Sequence, residues 1–116
     1  MQYEEVTWEE VESFIHALAS IVKVKKVTGV YGPARGGLPL AVMLSHACDI
    51  PLLSAPFKNC VIVDDIADTG QTLGKYAGKK FFIATMYYHP DCVFQPDFYQ
   101  KVKQSSWIVF PWEKVR

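Results

Sequence analysis

The chain has 116 residues, of which 50% are apolar and 14% aromatic, and this suits one compact domain, residues 1–116. Its 12 basic residues balance its 12 acidic residues, so net charge favours neither nucleic acid nor a membrane surface as the main partner. No apolar run approaches the roughly 18 residues of a membrane span, and the acidic start MQYEEVTWEE differs from a basic secretion signal. We therefore expect a cytoplasmic protein.

The first half of the chain alternates helical and strand patterns. Thr7 and Glu10 have the spacing of a capping box, and the apolar residues that follow predict an amphipathic helix over 8–22. The run VTGVYG at 27–32 is typical of a buried strand that ends in a Gly-Pro loop. The apolar segment LPLAVMLSHA at 38–47 predicts a helix packed on a sheet.

The second half continues the alternation. We predict a short strand at 52–53, a buried strand CVIVDD at 60–65, a short helix at 72–76 and a long strand KKFFIATMYYH at 79–89. The segment SSWIVFPW at 105–112 is one more strand or an ordered loop. Strands that alternate with helices indicate an α/β fold, with a mostly parallel, twisted sheet and helices on both faces.

The cysteines and two of the histidines have structural interpretations. Cys48, Cys60 and Cys92 are odd in number, lie far apart among apolar neighbours, and lack the paired spacing of a zinc site. We interpret them as buried free thiols. His16 and His46 lie within apolar predicted helices, so we expect structural roles for them.

Two loops carry the chemistry. Ligands of an open parallel sheet bind beyond the carboxyl ends of its strands, and YGPARGG at 31–37 and DDIADTGQT at 64–72 fall there. Both loops lead into a predicted helix, where free backbone N–H groups favour an anion. The turn 68–72 suits a phosphate, because Gly70 allows close approach and two threonines add donors. Arg35 suits a second anion through its planar guanidinium.

An aspartate pair separates these two anion sites. One short polar residue would cap a helix, so Asp64 and Asp65 with Asp68 nearby indicate more than a cap. Carboxylates accept hydrogen bonds from sugar hydroxyls and bind Mg²⁺, often through its water shell. A ligand with a phosphate at one end, a ribose in the middle and a pyrophosphate at the other end fits all three features, as phosphoribosyl pyrophosphate does.

The motif VIVDDIADTGQTL at 61–73 resembles the phosphoribosyl pyrophosphate motif of type I phosphoribosyltransferases, and PARGG at 33–37 resembles their pyrophosphate loop. The VTW helix start at 6–8 and the W-I-x-x-P-W pattern at 107–112 are most similar to the bacterial xanthine-guanine and hypoxanthine enzymes. The resemblance covers roughly residues 5–113, and it implies a single-domain fold of that family.

The resemblance also implies roles for individual residues. Asp64 and Asp65 would hold the ribose hydroxyls and Mg²⁺, and Asp68 would also lie near N7 of a purine. Trp107 would stack on the base, and Ile108 would offer its backbone to the base. In the family, the peptide before the arginine of the pyrophosphate loop, here Arg35, is often strained. The implied substrate-binding residues are Ala34, Arg35, Gly36, Gly37, Asp64, Asp65, Asp68, Thr69, Gly70, Gln71, Thr72, His89, Trp107 and Ile108, of which Arg35, Asp64, Asp65 and Asp68 carry the catalysis.

The implied activity is transfer of ribose 5-phosphate from phosphoribosyl pyrophosphate to a nitrogenous base, with Mg²⁺ as cofactor. An aspartate at position 68 favours a 6-oxopurine: guanine, xanthine or hypoxanthine. Family habit, together with the aromatic excess in YYHPDCVFQPDFYQ, predicts a homodimer or a higher homo-oligomer. The protein would contribute positioning and electrostatic stabilisation of an oxocarbenium-like transition state.

Two departures from the family pattern leave alternatives open. Only the segment 54–60 separates the second and third strands, so the usual lid loop is absent and hydrolysis should compete with transfer. His89 replaces a lysine that binds the 6-oxo group, and it equally suits an ordinary polar role. Trp107 and Trp112 equally suit a core. The alternatives are a regulatory protein that binds the ligand without turnover and, far behind, a receiver-like phosphoacceptor domain.

Overall fold

A computed structural model describes residues 2–113 of the chain. The elements in chain order are β1 (Tyr3–Glu5), α1 (Trp8–Lys25), β2 (Val30–Tyr31), α2 (Gly37–Cys48), β3 (Val61–Ala67), a 3-10 helix (Gly74–Tyr76), β4 (Phe82–Tyr88), β5 (Phe98–Val102) and β6 (Trp107–Val109). Neither α-helix in this part of the chain is both long and apolar enough to cross a membrane.

The main sheet has four parallel strands in the order β2-β3-β4-β5. Val61 is the register partner of Val30 on one side and of Phe82 on the other. An isolated parallel bridge between Val30 and Leu52 extends the sheet beyond β2. A second sheet pairs β1 with β6, also in parallel. The predicted α/β fold with a parallel sheet is therefore confirmed.

The two faces of the main sheet have different covers. Val61 and Val63 of β3 point toward α1 and α2, whereas Ile62 points to the opposite face. The helices bury one apolar stripe each against the sheet and each other, formed by Val11, Phe14, Ile15, Leu18 and Val22 of α1 and by Leu40, Ala41 and Leu44 of α2. The opposite face carries the 3-10 helix and loop residues such as Leu73 and Cys92. Helices were predicted on both faces, but both α-helices lie on one face and only the short 3-10 helix lies on the other.

The helices begin where their residues predict. The Glu10 N–H donates to Thr7 Oγ1 over 3.1 Å, which caps α1 as the sequence predicts. The helix runs three residues beyond the predicted end at Val22, because exposed lysines continue a helix without adding to its apolar period. It ends at Lys26, whose φ of 54° lies in the left-handed region.

Several strands differ from the predicted bounds. The strand predicted at 27–32 contains only Val30–Tyr31, and the helix predicted at 72–76 is the 3-10 helix. β3 continues past the aspartates to Ala67, because β4 runs beside it to Tyr88. Strands β1 and β5 were not predicted, since YEE and FYQKV are polar and lack a clear apolar period.

The structure tests the predictions for the connection before β3, for the three cysteines and for two histidines. Residues 54–60 join the Leu52 bridge to β3 without a helix or strand of their own, so the short connection is confirmed. Cys60 and Cys92 are buried free thiols, and Cys48 is half-buried. His16 and His46 lie on exposed helix surfaces.

A side-chain hydrogen bond joins the two sheets. The buried Tyr87 hydroxyl of β4 donates to Glu4 Oε2 of β1 over 2.6 Å. We expect Tyr87→Phe to lower the free energy of unfolding by about 1–2 kcal/mol, since it leaves a half-buried carboxylate without its donor. Urea unfolding measures the loss. Tyr99→Phe on neighbouring β5 is the control, and an equal loss in both variants would refute the assigned role of the bond.

Candidate active site

Three loops meet at the carboxyl edge of the main sheet. Since β2, β3 and β4 are parallel, the segments 32–37, 68–73 and 89–93 all leave the sheet at the same edge. These segments contain the arginine-glycine loop, the phosphate-type turn and His89. The fold therefore brings together at one edge the loops that the sequence predicts to hold a ligand.

The arginine-glycine loop packs directly on the aspartate pair. A Cβ atom added to Gly36 would collide with the Asp65 carboxylate, and one added to Gly37 would lie 3.1 Å from Asp64 Oδ1 and 2.5 Å from the carbonyl oxygen of Val63. Neither position has room for a side chain. The two motifs are thus in contact through glycines. The peptide bond between Ala34 and Arg35 is cis, an unusual peptide at the position where the resemblance implies one.

The aspartate pair is fixed by its own backbone. The Asp65 N–H donates to Asp64 Oδ1 over 2.9 Å, and the Ile66 N–H donates to Asp65 Oδ1 over 2.7 Å. Asp64 is only 7% exposed. Burial first, and the neighbouring Asp65 second, raise the pKa of Asp64 from 3.8 to about 8. A cation beside this pair would favour the ionised form of Asp64.

The donor set of this pair suits a hard cation that keeps part of its water shell. Within residues 2–113, no group of three or more His, Cys, Asp or Glu side chains converges on one point. The protein would thus supply two carboxylates, and water or substrate oxygens would complete the coordination. Mg²⁺ is commonly bound in this way in sites that also hold phosphates.

The turn at 68–72 forms an open pocket with its neighbours. Residues 66–73 line the pocket. Thr69 Oγ1 accepts the Gln71 N–H over 3.3 Å, and Gly70 has a φ of +91°, which favours glycine. The Gly74 N–H donates to the carbonyl oxygen of Gly70 over 2.6 Å. A turn lined by backbone N–H groups and threonine hydroxyls can bind a phosphate.

A segment that sequence reasoning missed supports this turn from outside. The Val93 N–H donates to the carbonyl oxygen of Thr69 over 3.3 Å. A Cβ atom at Gly70 would lie 2.6 Å from Val93 Cγ2 and 3.2 Å from Cys92 Sγ. The loop after β4 therefore holds the turn after β3. Nothing in the local pattern of PDCVF signals this contact, which depends on the parallel pairing of β3 with β4.

His89 lies beside the start of the same turn. Its backbone N–H donates to the carbonyl oxygen of Ala67 over 2.9 Å. Its Nδ1 accepts the Asp91 N–H over 3.0 Å, and Asp91 Oδ2 lies 3.8 Å from the same atom. A neutral ring that accepts at Nδ1 carries its proton on Nε2. His89 therefore presents Nε2–H as a donor.

Trp107 and Ile108 belong to the second sheet. The Trp107 N–H donates to the carbonyl oxygen of Gln2, and the Val6 N–H donates to that of Val109, each over 2.9 Å. Because alternate residues of a strand direct their backbone groups to opposite edges, the N–H and C=O of Ile108 face away from β1. The Trp107 side chain is 60% exposed. Its backbone is fixed while its indole is accessible.

Trp112 and the tyrosines Tyr31 and Tyr76 differ in their position relative to the site. Trp112 packs against Trp8 and stacks on Phe110, with the centroids of Phe110 and Trp112 5.2 Å apart, so it is half-buried against the edge of the core. Tyr31 ends β2 directly before the arginine-glycine loop, with its ring centroid 6.3 Å from that of Tyr76. Burial and Tyr76 raise the pKa of Tyr31. Its place at a strand end was the signal that could have identified it as a neighbour of the site.

The raised pKa of Asp64 predicts how stability depends on pH. Its stabilising contribution is complete below the ordinary pKa of 3.8 and is lost as the pH rises through about 8. The metal-free protein should therefore lose up to about 1.4 kcal/mol of unfolding free energy per pH unit in that window. Asp64→Asn should abolish this decline, as urea unfolding in chelator can show. Asp91→Asn, at an exposed carboxylate, should retain the decline, and a parallel decline in Asp64→Asn would contradict the assignment.

Comparisons with known proteins agree with this geometry. The purine phosphoribosyltransferase from Pyrococcus horikoshii Ot3 superposes with a TM-score of 0.86 and 35% identity, over 100% of this chain and 97% of that one. The Helicobacter pylori xanthine-guanine-hypoxanthine phosphoribosyltransferase has a TM-score of 0.79 at 22% identity, over 97% of this chain and 94% of that one, and it supports the fold alone. No protein-family model matches the chain.

A curated relative adds similarity in sequence. The xanthine-guanine phosphoribosyltransferase of Nitratidesulfovibrio vulgaris strain Hildenborough is 28% identical over 135 positions, which span 93% of this chain and 83% of the relative. That alignment is longer than the 116 residues of this chain, so the relative contains segments that this chain lacks. The chain therefore belongs to the purine phosphoribosyltransferases, transferase enzymes with the type I phosphoribosyltransferase fold.

Proposed function

We propose that this enzyme transfers ribose 5-phosphate from phosphoribosyl pyrophosphate to N9 of a 6-oxopurine and releases pyrophosphate. The observation that carries the proposal is the direct packing of Gly36 and Gly37 on the Asp64–Asp65 pair. This contact supports a row in which the arginine-glycine loop would hold pyrophosphate and the acid pair the ribose, and the turn at 68–72, which follows the pair in the chain, would hold the phosphate. Phosphoribosyl pyrophosphate has the same order of groups.

The two ends of the row would bind the two anionic ends of the substrate. The turn from Asp68 to Thr72, with Thr69, Gly70 and Gln71 between them, would hold the 5-phosphate through backbone N–H groups and hydroxyls. Residues Ala34 to Gly37 would hold the pyrophosphate, and the Arg35 guanidinium would bind two of its oxygens. The ribose would then lie over the aspartate pair.

Asp64 and Asp65 would hold Mg²⁺ and the ribose hydroxyls. When bound, Mg²⁺ supplies charge neutralisation for the pyrophosphate leaving group. The pair also has a role of its own, because two carboxylates under the ribose ring stabilise the positive charge that develops there. A proton on buried Asp64 would weaken both effects, so substrate with its metal should bind with release of a proton.

The chemical step balances without a covalent enzyme intermediate. The bond between C1 of the ribose and the pyrophosphate oxygen breaks, and its electron pair leaves with pyrophosphate. N9 of the base forms the new bond to C1 from the opposite face of the ring. The proton on N7 of the base passes to the Asp68 carboxylate. Arg35 stabilises the departing charge, and the protein contributes positioning and electrostatics.

The base would be selected by fixed donors and acceptors. The Nε2–H of His89 can donate to a 6-oxo group, whereas a 6-amino group would place a donor against it. The backbone N–H and C=O of Ile108, which face away from β1, suit the polar edge of the base. The exposed indole of Trp107 offers a surface on which a purine can stack.

The lack of a long lid affects both the competing hydrolysis and the expected assembly of subunits. Residues 54–60 are too few to form a long lid, so water has access to the reacting carbon and hydrolysis should accompany transfer. A neighbouring subunit that covers the site would limit this hydrolysis. In the proposed enzyme, the expected homo-oligomer would therefore protect the reacting carbon from water. The homo-oligomer and the cytoplasmic location both stay predictions.

Pyrophosphate release tests the proposed function directly. With Mg²⁺ and phosphoribosyl pyrophosphate, release should require guanine, hypoxanthine or xanthine and should yield the matching nucleotide. Asp64→Asn with Asp65→Asn should lower kcat/KM at least about 100-fold, since one or two positioned charges are commonly worth that much. Asp97→Asn, also an acid at a strand end of the main sheet, is the matched control.

Two outcomes would change the interpretation. Binding of phosphoribosyl pyrophosphate without conversion of any base would favour a regulatory protein that retains the ligand pocket. Release of pyrophosphate with free ribose 5-phosphate as the product, at the same rate with and without base, would identify a hydrolase and overturn the transferase proposal.

His89 variants test how the base is selected. We expect His89→Ala to lower kcat/KM for a 6-oxopurine about tenfold to 100-fold, because one hydrogen bond to the base is lost. His89→Lys restores a donor and should recover most of that loss. Asp91→Asn retains the backbone N–H that orients the ring, so it should be nearly silent. If His89→Ala lowers kcat/KM equally for guanine and for adenine, His89 does not recognise the 6-oxo group.

A further inference from the structure

The contacts proposed for the base come from two separate sheets. His89 follows β4 of the main sheet, whereas Trp107 and Ile108 belong to β6 of the second sheet. Within residues 2–113, β1 and β6 pair with each other and with no strand of the main sheet. The distance between His89 and the backbone of Ile108 therefore depends on how the second sheet is held against β4.

A buried hydrogen bond joins the two sheets next to both of these residues. The Tyr87 hydroxyl of β4 donates to Glu4 Oε2 of β1 over 2.6 Å, and Tyr87 is only 1% exposed. Tyr87 precedes His89 by two residues, and Glu4 is the register partner of Ile108. Each end of the bond is thus connected through a strand to a residue that would contact the base.

Hydrogen bonds on both sides of β4 fix His89 relative to Tyr87. On one side, the His89 N–H donates to the carbonyl oxygen of Ala67 of β3 over 2.9 Å. On the other side, the Lys103 N–H, directly after β5, donates to the carbonyl oxygen of Tyr88 over 2.8 Å. The backbone from Tyr87 to His89 is therefore held as one piece with the main sheet.

The pairing of β1 with β6 fixes the other end of the bond. The register partners Glu4 and Ile108 lie between two backbone hydrogen bonds of 2.9 Å that join the strands, one at Gln2 and one at Val6. Because the strands are tied on both sides of this position, the Glu4 carboxylate and the backbone groups of Ile108 keep a constant relation. The Tyr87–Glu4 bond is then the adjustable link between the two halves of the base site.

The surroundings of Tyr87 keep its hydroxyl available as a donor. Its ring packs edge-on against the buried Phe110, with ring centroids 5.9 Å apart. Burial first, and the hydrogen bond to Glu4 second, raise the pKa of Tyr87 above its ordinary value of 10.0. The phenol therefore stays protonated through the neutral pH range and can donate there.

We propose that Tyr87 and Glu4 are positioning residues for base selection, because their hydrogen bond sets the distance between His89 and the backbone of Ile108. This role rests on the proposed transfer to a 6-oxopurine. The base would be bound by groups of two sheets, and a misplacement of about 1 Å can lower a rate about 100-fold. The phosphate-type turn and the arginine-glycine loop both belong to the main sheet, so binding of phosphoribosyl pyrophosphate should not depend on this bond.

Separate KM values for the two substrates test the proposal with the full chain. Tyr87→Phe retains the ring that packs on Phe110 and removes the donor. It should raise KM for guanine about tenfold and reduce the preference for guanine over adenine, while KM for phosphoribosyl pyrophosphate stays unchanged. Ile15→Val shortens a buried side chain of α1, so it is the control for lost stability and should leave both KM values unchanged.

Glu4 variants test whether the bond itself is the cause. Glu4→Gln retains an acceptor for the Tyr87 hydroxyl and should keep most of the preference for guanine over adenine. Glu4→Ala removes the acceptor and should match Tyr87→Phe. The double variant should be little worse than either single variant, because both substitutions remove the same interaction. Additive effects on KM for guanine would contradict the assignment.

Calorimetric binding gives a result that does not depend on turnover. Tyr87→Phe should weaken binding of guanosine monophosphate about tenfold and change that of adenosine monophosphate little, since the two share the ribose phosphate. Equal weakening for both nucleotides, or no change for either, would overturn the positioning role and leave the proposed transferase activity intact. If the unaltered protein binds neither nucleotide and releases no pyrophosphate, the proposed function fails and the positioning role fails with it.

Discussion

The site depends on one close contact, in which the backbone at Gly36 lies against the carboxylate of Asp65. This contact joins the arginine-glycine loop to a residue of β3 that lies 29 positions later in the chain, and it fixes the separation of a cationic loop from an acidic pair. The parallel pairing of β2 with β3 brings the loops to one edge, but only the absence of side chains at Gly36 and Gly37 lets them meet. The turn at 68–72 follows the acid pair directly in the chain and is held from outside by the loop after β4.

Asp64 is buried beside the next glycine of the loop, since a Cβ atom at Gly37 would lie 3.1 Å from Asp64 Oδ1. A strand covered on both faces would ordinarily end before a carboxylate, yet β3 includes Asp64 and Asp65 and continues to Ala67. The glycines of the opposite loop exclude water from Asp64, and the neighbouring Asp65 discourages its ionisation. The fold thus holds a carboxyl group whose ionised form becomes favourable near neutral pH when a cationic partner is present. A buried like-charged pair at a strand end is costly for stability and useful for binding.

Much of this arrangement was predictable from the sequence, because the residues that build it have strong local signals. The Thr7 cap, the apolar stripe of α1 and the glycine-rich loops each follow a short-range rule. The contacts of Val93 with Gly70 and of Tyr87 with Glu4 were not predictable, since each joins residues distant in sequence through strand order. β2 is shorter than predicted, because edge strands are short, and β5 was not predicted at all, because its polar residues carry little periodicity.

The short connection 54–60 has a consequence for the timing of the reaction cycle. In an enzyme with a mobile lid, the opening of that lid can set the rate at which the product leaves. Here residues 54–60 carry no such element, so the nucleotide would depart as soon as its own contacts break. Turnover would then be governed by the bond-making step, and burst kinetics should be absent.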